Sequence, residues 1–241
     1  MLINERASGL SFSIDATSLK IIALIAMTID HIGYFLLPEI TELRVLGRLA
    51  YPIFAYLLVE GCEHTHNKWR YFFSVFGVGL VCSVGSYLAD GSLYQSIMIT
   101  FALSILMIYT LKYVAYVSRR GDTVRADAAK LGAMALVVLM YALGSGKFVS
   151  ELVVDYGFLG IVTPALIALG RSRTQRLLLL GAGLLLLAVE LGGVQIFALA
   201  AVLLLGAYSG RRGDGVSKSF FYAYYPLHLA IIAGIARVLD M

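Results

Sequence analysis

The sequence predicts an all-α polytopic membrane bundle of about nine transmembrane helices, with its N-terminus on the cytoplasmic side. Three observations carry this expectation. Of 241 residues, 60% are hydrophobic and only 14% are charged, whereas a soluble domain carries about 25% charged residues. Nine apolar runs approach the ~20 residues that a helix needs to cross a bilayer core. Most of the 19 basic residues collect in or beside alternate gaps between those runs, as in cytoplasmic loops. A β-barrel is excluded, because barrel strands alternate in polarity over about ten residues and no stretch here does so.

In chain order, residues 1–18 form a polar N-terminal segment holding one cation, Arg6. The run at 19–37 follows without a small-residue cleavage site, so it reads as a retained first helix and not as a signal peptide. The next runs are 45–62, 71–89, 94–117, 128–144, 148–170, 175–191, 194–209 and 219–239. The seventh and eighth are short and joined by Gly192-Gly193, which predicts a tight hairpin. No repeat, linker or tail divides the chain, so residues 1–241 are expected to form a single membrane domain. Four cations, Arg44, Arg48, Lys147 and Arg237, fall on the side opposite the N-terminus, and the other fifteen fall on the N-terminal side. That asymmetry puts the N-terminus in the cytoplasm and the chain in the inner membrane. Because the cations sit in short breaks and not on one face of a soluble module, nucleic-acid binding is not expected.

Ionisable groups inside membrane helices are costly and mark function by default. The first helix carries Lys20, Asp30 and His31. Lys20 and His31 are eleven residues apart, about three turns, so they share a face and lie ~16 Å apart along the axis. Asp30 points about 100° away from His31, and a neighbouring helix carrying Arg48 is its expected partner. Pro52 is expected to bend the second helix. The plain reading of Lys20 is a snorkelling flank, and that of His31 a helix–helix link.

The inner end of the second helix reads Glu60-Gly61-Cys62-Glu63-His64-Thr65-His66-Asn67-Lys68-Trp69-Arg70. His64 and His66 do not share a helix face, and ligand spacings such as HExxH are absent, so no metal is expected. Cys62 and Cys82 are the only cysteines and read as small apolar side chains. On the outer side lie Glu151 and Asp155, one turn apart on a helix, and Glu190 and Gln195 flank the hairpin. His228 of the last helix lies nearer mid-membrane. The two mouths therefore differ. The inner one is basic and suits a phosphate-bearing ligand. The outer one joins a histidine to carboxylates and Arg48, which suits proton transfer. No Walker A motif, dinucleotide fingerprint or nucleophile elbow is present.

The runs LKIIALIAMTIDHIGY, GRLAYPIFAYLLVEGCEHTHN, DYGFLGIVTP and YYPLHL resemble the TraX family over almost the whole chain. That family's best-known activity is acetylation of the N-terminal amine of a conjugative pilin subunit. It looks like part of the larger transmembrane acyltransferase superfamily. There a basic residue, ten residues and a histidine recur on the first helix, the spacing met here by Lys20 and His31. The resemblance implies that acyl-CoA enters from the cytoplasm, that the acceptor comes from the opposite side, and that the histidine is the general base.

The expected function is therefore transfer of an acetyl group from cytoplasmic acetyl-CoA to an amine or hydroxyl. The acceptor would be a pilin subunit, a surface glycan or a lipid-linked sugar. The expected catalytic group is His31 with Asp30 and Arg48. Lys20, His64, Lys68 and Arg70 are expected to hold the CoA phosphates, and Glu151, Asp155 and His228 to meet the acceptor. The rival is a proton-coupled transporter, since intramembrane Asp, His, Arg and Glu also build proton relays. Against it stands the lack of paired, broken helices in two halves.

Overall fold

The computed structural model describes residues 13–145 and 153–239. These form ten α-helices and one 3₁₀ segment. They are α1 (Ala16–Phe35), α2 (Thr41–Gly47), α3 (Ala50–His64), α4 (Lys68–Asp90), α5 (Ile97–Arg119) and α6 (Thr123–Gly144). After the gap come α7 (Gly157–Leu169), α8 (Arg173–Leu191), the 3₁₀ segment (Gly193–Leu199), α9 (Ala200–Gly206) and α10 (Lys218–Val238). Seven helical stretches among the described residues are long and apolar enough to cross a membrane. Two shorter apolar ones, Gly157–Leu169 and Gly193–Gly206, complete the path. The chain is a multi-pass helical membrane protein.

The polypeptide alternates between two ends of the bundle. At the near end, where α1 begins, Ile14 and Ala16 donate to the carbonyls of Ala207 and Arg211, and Ser209 donates to Ile14. Arg176 pairs with Glu63, and Arg173 reaches the carbonyls of Leu205 and Gly206. At the far end Gln95 donates to the Val153 carbonyl and accepts from the Asp155 N–H across a short bridge, and Arg237 caps the Ala89 carbonyl. Arg44, Arg48 and Arg237 lie at the far end, and the other described basic residues lie within about two turns of the near end. The side-to-side split expected from the sequence is therefore the one seen. Lys147 and Arg6 lie outside the described residues.

Three predicted runs need correction. The second is two helices, broken at Arg48-Leu49. Pro52 does not bend α3; it sits in its first turn, where no intrahelical partner needs its missing N–H. The sixth begins at Gly157, nine residues later than expected, because Tyr156 takes a left-handed backbone (φ 59°) and Gly157 follows at φ 57°. A bulky residue in that region breaks the helix, so Asp155 stands in the preceding loop and not on a helical turn. The eighth starts as a seven-residue 3₁₀ segment, which rises ~2 Å per residue, so the fourteen residues of this crossing span about 24 Å. Gly192 and Gly193, both at positive φ, make the expected tight turn.

The core is built on α3, α5 and α7, whose contact faces hold fully buried Ile53, Val59, Ile105, Ile161 and Ile167. Pro164 and Thr163 are tolerated inside α7 because it is surrounded by protein, packing against α3, α5, α6 and α8. Exposed Leu80, Val81, Met134, Val138, Leu178 and Leu203 cover the outside. This is the arrangement expected of a surface whose solvent is lipid. Helix starts are capped in the ordinary way. Asn67, Asp122 and Ser217 accept backbone N–H groups, and Ser172 forms a full capping box with Gln175.

Candidate functional site

The polar interior gathers around the last two turns of α1. Asp30 faces α2 and α3. One carboxylate oxygen takes Arg44 at 2.8 Å and the other takes Arg48. Arg44 lies in α2 and Arg48, one turn on, at the α2–α3 break, so both guanidinium groups reach one carboxylate. Gly47 makes this close approach possible: a Cβ there would collide with the Asp30 side chain. Arg48 also donates to the Gln195 amide oxygen (3.2 Å), the Tyr156 hydroxyl (3.4 Å) and the Arg44 carbonyl (3.3 Å). Tyr156 in turn stacks on Tyr51 at 4.3 Å, and Tyr51 donates to the Gly160 carbonyl. Asp155 accepts from Tyr94 at 2.6 Å, and its own carbonyl accepts from Thr100.

His31 faces the other way, toward α10. Its Nδ1 lies 2.9 Å from Nε2 of His228, which is buried. The tautomers follow from the outermost partner. Nδ1 of His228 lies 3.0 Å from the carbonyl of Tyr224, and a carbonyl only accepts, so that nitrogen carries a hydrogen. In a neutral ring Nε2 of His228 then holds the lone pair. His31 must donate to it from Nδ1, which leaves Nε2 of His31 with a lone pair of its own. The rest of the seam is consistent: Thr28 spends its hydrogen on the Leu24 carbonyl, so Tyr224 donates to Thr28 at 2.8 Å. One helical face of α1 thus carries Lys20 against Phe221 (5.3 Å to the ring centre), Thr28 against Tyr224 and His31 against His228. The shared face predicted for Lys20 and His31 is the α1–α10 seam.

At the near end, Lys20, Thr17, Arg212, Phe221 and the loop Gly213–Val216 line a cavity of about 520 Å³. The loop is bound to the start of α1. Thr17 donates to the Arg212 carbonyl, and Gly213, at φ 70°, packs on Asp15. Asp15 caps α1 by accepting from Ser18, and that bond holds its carboxyl below the usual value of 3.8. His64, Lys68 and Arg70 lie at the α3–α4 turn at the same end, but they do not line this cavity. His64 bonds to the Glu60 carbonyl, and Lys68 sits over the Tyr109 ring. No group of three potential metal ligands occurs among the described residues. A second cavity of about 600 Å³ opens at the far end, lined by Arg48, Tyr94, Tyr141, Asp155, Tyr156 and Glu190 among others.

The structure therefore brings His31 and His228 together, and Asp30 with Arg48, and puts Asp155 in the far cavity. Glu151 lies outside the described residues. Sequence reasoning placed His228 with the acceptor group and did not connect it to His31. It missed Arg44, although the four-residue step from Arg44 to Arg48 is one helical turn. It noted Gln195 only as a hairpin flank.

Comparison with known proteins identifies the family. The profile of the family described as TraX protein matches residues 15–236. The chain is 27% identical over 244 residues to the probable fimbrial assembly protein FimC, serogroup H1, of Dichelobacter nodosus. That match covers 90% of this chain and 93% of the relative. It is 58% identical over 38 residues to an uncharacterized protein of Rickettsia prowazekii (strain Madrid E), covering 16% and 15% of the two chains. No solved structure matches. The reach of the family match, from the α1 cap to the end of α10, makes the chain a member of the TraX family.

Proposed function

We propose that the chain is an acetyltransferase of the cytoplasmic membrane, with its near end in the cytoplasm. It moves an acetyl group from cytoplasmic acetyl-CoA to an amine or hydroxyl presented at the far end. The observation that carries this reading is the tautomer chain from the Tyr224 carbonyl through His228 to His31, which leaves a ring nitrogen with its lone pair inside the bundle. His31 Nε2 takes the proton of the acceptor as its N or O bonds to the thioester carbonyl carbon. The same imidazolium returns the proton to the CoA sulfur as the C–S bond breaks. Asp30, Arg44 and Arg48 hold the α1–α2 corner and leave a formal charge of +1, favourable where negative charge develops on the carbonyl oxygen. Lys20, Arg212 and the 213–216 loop suit the phosphates. The ~16 Å from Lys20 to His31 along α1 is within reach of an extended pantetheine arm. A relative named for fimbrial assembly supports a pilin subunit as the acceptor ahead of a glycan or lipid-linked sugar.

The test is incorporation of labelled acetyl by the purified protein, offered a pilin-type N-terminal peptide, a glycan and a lipid-linked sugar. Transfer is expected to the peptide amine and to fall to background in His31→Ala. If the wild type labels none of the three, the transferase reading fails. Proton-coupled uptake by reconstituted vesicles that persists without CoA would instead establish the transporter.

A further inference from the structure

Gln195 is buried, with 3% of its surface accessible. Its amide orientation is determined by its neighbour: Arg48 only donates, so the oxygen faces Arg48 and the NH₂ group points elsewhere. Among the described residues that NH₂ has no hydrogen-bond partner. An orphaned buried donor keeps its full desolvation penalty, and native interiors rarely hold one without a reason. Its backbone is also unusual. Gln195 lies within seven consecutive 3₁₀ residues, where runs longer than 3–4 are uncommon and often mark a hinge or strain. Arg48 is the other candidate to meet a substrate oxygen, but its N–H groups are already directed to Asp30, Arg44, Tyr156 and Gln195. Of its five hydrogens, one remains uncommitted.

We infer that the Gln195 side-chain NH₂ is a substrate-contacting donor that binds the acyl carbonyl oxygen as it becomes an oxyanion. This rests on the acetyl-transfer reading and deepens it. The acceptor's lone pair bonds to the carbonyl carbon, the C=O π pair moves onto oxygen, and Gln195 donates to that oxygen. The pair returns as C–S breaks, and His31 delivers the proton to the thiolate. Arg48 acts through Gln195, holding the amide oxygen so that the NH₂ keeps its direction, with the +1 charge of the Asp30–Arg44–Arg48 group behind it.

Two variants separate donation from mere anchoring. Gln195→Glu keeps an oxygen for Arg48 and has no N–H, whereas Gln195→Met keeps the shape and has neither. Both are expected to lose about 10²-fold in kcat, with KM for acetyl-CoA within about twofold of wild type and melting temperature preserved in at least one. Wild-type kcat in Gln195→Glu means that the side chain only anchors Arg48, and it overturns the inference while leaving the transferase intact. Unfolding of both variants also overturns it, because the side chain is then structural. No label transfer by the wild type overturns the transferase reading and this inference together.

Discussion

Asp30 and His31 are adjacent in the chain, yet they belong to two different kinds of site. Asp30 is locked between two guanidinium groups of the α2–α3 corner, a fixed ionic knot formed by elements next to it in sequence. His31 meets one neutral imidazole from α10, almost two hundred residues away, and keeps a free lone pair. The first arrangement has no proton to exchange without stranding a charge. The second gains or loses a proton at little cost to its hydrogen bonds, because His228 accepts from His31 in either state. On the proposed reading, the contrast separates architecture from chemistry on consecutive residues of one helix.

The comparison breaks most sharply at His31. His31→Ala is expected to lower transfer by about 10³-fold while the melting temperature in detergent stays near wild type. If stability falls and the residual turnover per folded molecule is unchanged, His31 belongs with the architecture. Asp30→Asn should fall mainly on stability, with a smaller change in turnover per folded molecule because the charge of the Asp30–Arg44–Arg48 group rises from +1 to +2. It leaves two partly buried cations without their carboxylate, a loss of about 3 kcal/mol, measured by denaturant or thermal unfolding. His228→Ala should leave the fold standing and reduce kcat about 10²-fold, since His31 is free to take the other tautomer. The nitrogen-15 shifts of His31 report that exchange directly. Gly47→Ala should cost about 1–3 kcal/mol through forced separation of α1 from α2, with activity falling only in step with folded protein. Smallest is Arg176→Ala at the near end, where the Glu63 pair is partly exposed, and about 0.5 kcal/mol is expected.

Much of the frame was legible because lipid imposes a simple rule on sequence: long apolar stretches, with cations gathered on one side. What the sequence could not supply was helix adjacency. The offset between Asp30 and Lys20–His31 follows from 3.6 residues per turn, and the structure puts each on its own face. Nothing in one chain says that the last helix lies against the first, so His228 was read apart from His31. Tyr156 falls inside the apolar run at 148–170, and its left-handed backbone, seen with its contacts to Tyr51 and Arg48, delays α7. Gln195 is a neutral amide among leucines, and its meaning lies wholly in which of its two ends is satisfied.

The seam between α1 and α10 also fixes an order of assembly. During synthesis α1 enters the bilayer first and finds α2 and α3 within a few dozen residues, so the Asp30 knot is available early. His31 waits for His228, and the start of α1 waits for residues 207–213 that tie it down. Until the ribosome has delivered the last helix, the nascent chain holds a folded corner and an unpartnered histidine. On the acetyl-transfer reading, His31 is set for its chemistry only once α10 stands beside α1, and a truncation ahead of Lys218 is expected to abolish transfer.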